Sequence, residues 1–192
     1  MNFLVSVLIF ISVISCSSKI ISLETHSNDY VWGEKSLFED DIKEIRDSNN
    51  TLNKYIGIWK YTSNNGTNYE LKINKGTTSG SFITHKDVLF VRYKIIDATG
   101  KTIENTLNIL DDESSLIIKG SSFLHTTYTL LYGGRESNCG QFGTIFMTVL
   151  PENPTNMIFK FIPEVNLTQS RCPSFKAAKQ VLPVEKVHFT KQ

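Results

Sequence analysis

The sequence predicts an all-β protein: a single antiparallel up-and-down β-barrel of about eight or nine strands. From Tyr55 onward, apolar and polar residues alternate with the period of two that is typical of half-buried strands. Turn-forming residues divide this stretch into short, regularly spaced segments. The 192 residues are 40% hydrophobic and 20% charged, which suits one globular domain with a single core. A two-sheet β-sandwich is the alternative, although its Greek-key connections are usually longer than those seen here.

Composition excludes several classes of protein. The 20 Lys and Arg residues nearly balance the 19 Asp and Glu residues, so the net charge is +1. Nucleic-acid-binding proteins usually carry a clustered basic face, and we therefore expect no nucleic-acid partner. With 3 cysteines and 40% hydrophobic residues, the chain fits neither a disulfide-dense miniprotein nor a multi-pass membrane protein.

Residues 1–15 are predicted to be a signal peptide of the lipoprotein type. They carry no charged side chain, and residues 3–14 are almost wholly apolar. As a helix this run would be about 18 Å long, which is short for a bilayer span. It ends in the letters VISC at residues 13–16, which resemble the bacterial lipobox, and the resemblance implies a lipid on Cys16. A plain signal peptide cleaved nearby and a retained signal-anchor helix are the alternatives.

This leader predicts a membrane-anchored lipoprotein of the bacterial cell envelope, facing the periplasm or the cell surface. Its expected partner is membrane lipid, held through the acylated Cys16. The two remaining cysteines, Cys139 and Cys172, predict one disulfide in an oxidising compartment, closing a loop of 33 residues. Two unrelated buried thiols are the alternative.

Residues 16–50 are predicted to be a tether that contains a short helix. The segment is polar and has few bulky apolar residues. Within its charge-rich part, Phe38, Ile42 and Ile45 fall at the helical spacing i, i+4, i+7. A tether would give an acylated domain reach away from the lipid headgroups.

Residues 51–192 are predicted to form the barrel. The Asn65-Gly66 pair favours a tight turn, so we expect the first two strands to pair antiparallel. Later breaks occur at turn residues such as Gly133-Gly134. The predicted strands span residues 55–61, 68–74, 88–96, 101–110, 115–119, 126–132, 142–150, 157–162 and 184–190.

The Gly57-x-Trp59 pair resembles the opening strand of the calycins, the lipocalin-type barrels, in which such a Trp packs across the closed end. In those barrels an Arg from the last strand usually stacks on this Trp. The predicted last strand contains no Arg, so Lys186, His188 or the mid-chain Arg92 would have to take its place.

The longer pattern over residues 49–61, behind a lipobox-like leader, resembles a family of uncharacterised lipoproteins from flavobacteria. This resemblance implies a fold and a location and brings no known activity.

The sequence contains no recognisable catalytic constellation, and we expect the protein not to be an enzyme. Its four histidines are isolated, and no Gly-x-Ser-x-Gly elbow or phosphate-binding glycine loop occurs. The three consecutive acids at 111–113 could bind a hard cation but are more typical of a solvated turn. We therefore expect no catalytic residue, metal site or cofactor.

The predicted inner face of the barrel is rich in aromatic residues. Such a lining could hold a small apolar ligand, or it could fill the interior completely. We hypothesise that the protein binds a small hydrophobic ligand or another envelope component. The alternative is a protein–protein interaction or inhibitor module that acts through the 133–139 loop. The residues predicted to line the interior are Trp59, Tyr61, Tyr69, Tyr93, Tyr128, Tyr132, Phe146 and Phe159.

Overall fold

The computed structural model describes residues 18–37, 41–110, 115–164, 172 and 176–192. Its β-strands are β1 (Lys19–Ser22), β2 (Ile42–Arg46), β3 (Gly57–Thr62), β4 (Asn68–Thr78), β5 (His85–Ile96), β6 (Thr102–Asn105), β7 (Ile118–Leu124), β8 (Thr127–Gly133), β9 (Phe142–Leu150), β10 (Asn153–Pro163) and β11 (Val187–Lys191). Short helical segments span Leu23–Thr25, His26–Val31, Asn53–Tyr55 and Ser137–Cys139. Among the described residues, every helix is too short or too polar to cross a bilayer.

Eight strands form a closed antiparallel barrel, which confirms the predicted fold class. The barrel strands are β3, β4, β5, β7, β8, β9, β10 and β11, and neighbours in the barrel follow chain order. Pairing of β11 with β3 and of β5 with β7 closes the sheet. The predicted strand at 101–110 becomes β6, which lies outside the barrel and pairs with the end of β5.

The first hairpin also follows the prediction. Strands β3 and β4 pair in register, with Trp59 opposite Leu71 and Tyr61 opposite Tyr69. The turn between them is closed by a hydrogen bond from the Ser63 amide to the Thr67 carbonyl. Gly66 takes a positive φ of 81° there, a conformation that glycine adopts without strain.

The segment predicted to be a tether with a short helix, residues 16–50, forms two strands and a short helical stretch at 23–31 over its described residues, and the predicted helix around Ile42 and Ile45 is strand β2 instead. Strand β1 pairs in parallel with β2, and β2 pairs in parallel with the first residues of β5. Ile42 and Ile45 are buried in the same core cluster as the barrel interior, together with Leu23. Covering the edge of β5 satisfies its backbone groups and removes apolar surface from water, which a tether would not do.

The two ends of the barrel differ. One end, named here the closed end, carries β1, β2 and the Asn53–Tyr55 turn. Tyr55 is fully buried there, and its hydroxyl donates to the Met147 carbonyl at 3.2 Å. The opposite end, named the open end, carries the 63–67 turn.

Large side chains fill the barrel interior. Of the two possibilities for the aromatic lining, the structure therefore shows a filled interior at the centre of the barrel, because close-packed rings leave no room for a ligand between them. Several rings contact one another edge to face, such as Tyr132 and Phe161 with centroids 5.1 Å apart. The fully buried rings are Trp59, Tyr55, Tyr93, Tyr128, Tyr132, Phe159, Phe161 and Phe189.

Candidate functional site

A pocket of about 360 Å³ lies at the open end of the barrel. Its floor is formed by Tyr61 and Tyr69, the last inward-facing pair of the first hairpin. One wall is the 63–65 turn, and the other is the chain from Gln180 to Val187 that leads into β11. The volume falls in the range of sites that hold small organic molecules.

The hairpin presents the two floor tyrosines as one aromatic surface. Their rings stack with centroids 5.7 Å apart and an angle of 25° between planes. Tyr61 also contacts the buried ring of Phe189 at 5.6 Å, which fixes it from below. Burial, with a smaller effect from Tyr61, raises the pKa of Tyr69 above its ordinary value. The Tyr69 hydroxyl therefore stays protonated at neutral pH and can donate a hydrogen bond.

Gln180 supplies the most specific polar group in the pocket wall. Its Nε2 donates to the Gly140 carbonyl at 2.8 Å, which fixes the side chain. Its Oε1 is buried and has no hydrogen-bond partner within the described part of the chain. A buried acceptor without a partner is costly, which marks this side chain as the polar group of the wall whose hydrogen bonding is incomplete. Next to it, Leu182 is buried and contributes apolar surface.

The predicted disulfide is confirmed and braces this wall. Cys139 and Cys172 are bonded, with their Cα atoms 5.0 Å apart. The Cys139 carbonyl also accepts from the Ala178 amide at 2.8 Å, and the Gln141 side chain donates to the Lys179 carbonyl at 2.7 Å. The segment from Cys139 to Gln141 therefore holds the chain before Gln180 in place.

The 133–139 loop is held by the same residues. The Gly134 amide donates to the Gln141 carbonyl at 2.7 Å, and the Glu136 amide donates to the Gln141 side chain at 3.0 Å. Arg135 is exposed and places its Nε 2.9 Å from the buried carboxylate of Glu104. The loop is thus tied both to the pocket wall and to β6.

A buried polar cluster lies below Arg135. The hydroxyls of Tyr93 and Tyr132 lie next to each other and to the Glu104 carboxylate, and both rings are fully buried. Burial, with smaller effects from Tyr132 and Glu104, raises the pKa of Tyr93. Burial also raises the pKa of Tyr132 to about 12, because it outweighs the lowering effect of the hydrogen bond with Tyr93. Both hydroxyls are neutral at physiological pH. The last residues of β5 pair with β6, whereas residues in the middle of β5 pair with β7. The cluster closes the barrel on the side where this change of partner occurs.

Trp59 lies in the closed half of the interior. It is fully buried, and its indole Nε1 donates to the Tyr55 carbonyl at 2.7 Å. Lys191 of β11 places its ammonium 5.2 Å from the indole centroid. A cation from the last strand therefore contacts this Trp. The sequence reasoning missed Lys191 because the predicted last strand ended at residue 190.

Most of the predicted lining residues face inward, but few of them reach the pocket. Tyr61 and Tyr69 form its floor, whereas Tyr93, Tyr128, Tyr132 and Phe159 are buried in the packed interior.

Phe146 was placed on the wrong face of its strand. In β9 the inward residues are Ile145, Met147 and Val149, and all three are buried. Phe146 alternates with them and lies on the outer surface, where it lines a shallow groove with Trp32. The error arose because both faces of β9 carry apolar residues, so alternation alone does not assign the inside.

Some predictions fall outside the described residues. Residues 1–15, Cys16 and the acids at 111–113 belong to this group. Conversely, Gln180 and Leu182 were not singled out from the sequence, since they lie in a segment with no strand or motif pattern.

Comparison with known proteins gives one match. A family model described as "Family of unknown function (DUF6705)" matches residues 1–140. The matched region includes the N-terminal residues and the strands through β8, and it ends before β9. No curated protein and no solved structure matches the chain.

Proposed function

The chain belongs to DUF6705, a family of unknown function, and from that premise we propose that it is a lipid-anchored binding protein of the cell envelope. Its open-end pocket holds a small amphipathic ligand and carries out no chemical step on it. The observation that carries this proposal is the Gln180 side chain, which lines the pocket and whose buried Oε1 lacks a hydrogen-bond partner within the described residues.

The pocket chemistry defines the ligand class. The stacked rings of Tyr61 and Tyr69 offer an apolar surface to a ring or a short hydrocarbon, and Leu182 extends it. The Gln180 amide, in the wall of the same pocket, favours a ligand that also carries a hydrogen-bonding group. A molecule with an apolar face and a hydroxyl, amine or amide edge meets both requirements.

The contacts of the serine hydroxyl at the pocket rim agree with binding without catalysis. Ser63 is the serine of the pocket rim, and its hydroxyl is in contact with the Asn65 side chain and the Thr67 carbonyl. These contacts hold the turn in shape. A hydroxyl acting as a nucleophile would instead be paired with a histidine or another base.

The anchor is proposed from the leader together with the disulfide. An apolar run that ends in VISC supports acylation of Cys16, and a disulfide is typical of oxidising compartments such as the periplasm or the cell surface. Replacing Cys16 with Ser should move the protein from the membrane fraction to the soluble fraction. Unchanged membrane association of that variant would argue against acylation.

Native mass spectrometry of protein extracted from its own membrane tests the pocket. We expect a mass above that of the acylated chain, which is lost in the double variant Tyr61→Ala/Tyr69→Ala. Phe146→Ala is the matched control, because it removes a half-buried ring on the outer face of the barrel. Equal retention of the extra mass in both variants would show that the ligand lies elsewhere, and absence of any extra mass in the parent protein would contradict binding.

A second candidate function is supported by the bracing of the 133–139 loop. Arg135 is exposed on a loop whose shape is already fixed, and such preorganisation lowers the cost of binding a protein partner. If the loop is the working surface, alanine substitutions at Arg135, Glu136 and Asn138 should abolish capture of that partner and leave the pocket ligand in place. Retained partner binding would remove this candidate.

A further inference from the structure

We propose that the closed end of the barrel rests on the lipid surface, with Trp32 in the interfacial region, and that the ligand pocket opens away from the membrane. This inference rests on the proposed acylation of Cys16.

The chain between Cys16 and the fold is very short. Lys19 is already the first residue of β1, so the lipid-bearing residue is three residues from the sheet. Three extended residues span at most about 11 Å. An acylated Cys16 therefore holds the start of β1 next to the headgroups, and the domain has no tether with which to reorient.

The start of β1 lies at the outer edge of the closed end, beyond the first residues of the barrel strand β5. Glu44 of β2 pairs with His85, the first residue of β5. Lys19 pairs with Ile42, which precedes Glu44 by two residues. Because β1, β2 and β5 run parallel, Lys19 lies beyond the beginning of β5 and beyond that end of the barrel.

The ligand pocket lies at the other pole. Along β4, Tyr69 forms the pocket floor, and Thr78 pairs with Lys86 next to β2. The nine residue-to-residue steps from Tyr69 to Thr78 correspond to about 30 Å along an extended strand. The membrane-proximal end and the pocket are therefore separated by nearly the whole length of the barrel.

An exposed tryptophan lies at the level of the closed end. Strands β7 and β5 are antiparallel, and Lys119 pairs with Phe90. Phe123 follows Lys119 by four residues, so it lies level with the residues that precede Phe90 by about four, at the start of β5. The Trp32 indole donates to the Phe123 carbonyl, and its side chain is still 53% exposed. Tryptophan is enriched at membrane–water interfaces, where its apolar ring and polar edge are both accommodated.

The neighbouring surface is consistent with lipid contact through apolar groups rather than charge. Val31 precedes Trp32 and is also exposed, as is Ile20 on the outer face of β1. The exposed acids Glu34 and Asp41 are matched by the exposed Lys19 and Lys35 close by in sequence, so neither sign of charge dominates this surface. We therefore expect neutral lipid to be sufficient, with no requirement for anionic headgroups.

This orientation restricts where the ligand comes from. A pocket that faces away from the host bilayer takes its ligand from the aqueous phase or from a structure opposite the membrane. Uptake directly from the host leaflet would require the open end to reach the lipid, which the short connection to Cys16 prevents.

Fluorescence quenching by brominated lipid tests the orientation in the acylated protein. The chain contains 2 tryptophans, and Trp59 is fully buried in the barrel, so Trp32 carries the lipid-sensitive emission. Protein purified with its native lipid is reconstituted into phosphatidylcholine vesicles with brominated or ordinary acyl chains. We expect brominated chains to reduce the emission, and we expect this loss to disappear in Trp32→Phe.

A reporter at the open end provides the matched control. The double variant Trp32→Phe/Asn64→Trp carries the indole on the exposed pocket rim, and its emission should be the same in both kinds of vesicle. Quenching of that variant, or unquenched Trp32 in protein that floats with the vesicles, would overturn the orientation. Flotation itself reports anchoring separately, because parent protein that does not float would contradict acylation and the orientation together.

Discussion

Acidification is expected to destabilise the fold through His26. This side chain is buried just after β1, and its Nδ1 has no hydrogen-bond partner among the described residues. Burial, and to a smaller extent the charge of Lys86, lowers the pKa of His26 from 6.5 to about 4. His26 is therefore neutral in the folded protein at pH values where the same residue is charged in the unfolded chain.

The size of the effect follows from proton linkage. Between pH 6.5 and about 4 the unfolded chain binds more protons than the folded protein, so stability is fully present above pH 6.5 and declines as the pH falls through this window. These two pKa values give a loss of about 2 kcal/mol at pH 4.5 relative to pH 7. Burial raises the pKa of Asp47, but hydrogen bonds from Lys75 and from the 51–52 turn outweigh it and leave the pKa below 3.8. The contribution of Asp47 is therefore lost only at lower pH.

Urea unfolding at pH 7 and at pH 4.5 measures this difference. His26→Gln should remove most of the loss, because glutamine does not titrate. His188→Gln is the control, since His188 is exposed and hydrogen-bonded to Asn156, and it should leave the pH dependence unchanged. If His26→Gln retained the full loss between the two pH values, the assignment of acid sensitivity to this histidine would be wrong.

Three further substitutions or treatments test how the barrel is held together. Reduction of the disulfide should cost about 3 to 4 kcal/mol, because it opens a loop of 33 residues, and calorimetry with and without reductant measures it. Asp47→Asn should cost about 3 kcal/mol, since the buried carboxylate pairs with Lys75 and accepts from the 51–52 turn. A loss no larger than that of Asp97→Asn, at a partly exposed turn residue, would contradict this. Gly120→Ala should cost about 2 kcal/mol in urea unfolding, because its Cβ would lie 2.1 Å from the Tyr128 hydroxyl, and an unchanged midpoint would show that this ring moves freely.

The barrel itself was predictable because its strands alternate clearly and follow one another in space. Residues 142–150 were predicted as a strand with the bounds that the structure shows, and the turn at Asn65-Gly66 was recognised from its residue types. These features depend on local sequence, and the closed meander follows from joining neighbouring strands. Each part of that prediction needs only contacts between segments that are adjacent along the chain.

The N-terminal strands were not predictable in the same way. Ile42 and Ile45 are three residues apart, which fits a helix better than a strand, and both are buried because β2 adds in parallel to β5. That pairing joins residues about 40 positions apart, so no local pattern indicates it. Tertiary burial overrides the helical spacing.

The site was predictable only in part. The aromatic floor of Tyr61 and Tyr69 follows from alternation in the first hairpin. The wall that contains Gln180 has no regular pattern, and it is held in place by the disulfide and by contacts with Gly140 and Gln141. Its position depends on bonds between distant segments, which alternation does not reveal.

A crystal structure of the protein purified from its own cells, with no ligand added, would test the central claim most directly. We expect density in the open-end pocket for a small molecule that lies against Tyr61 and Tyr69 and donates a hydrogen bond to Gln180. A pocket that contains ordered water alone, with Gln180 hydrogen-bonded to that water or to the protein, would contradict the proposed binding function.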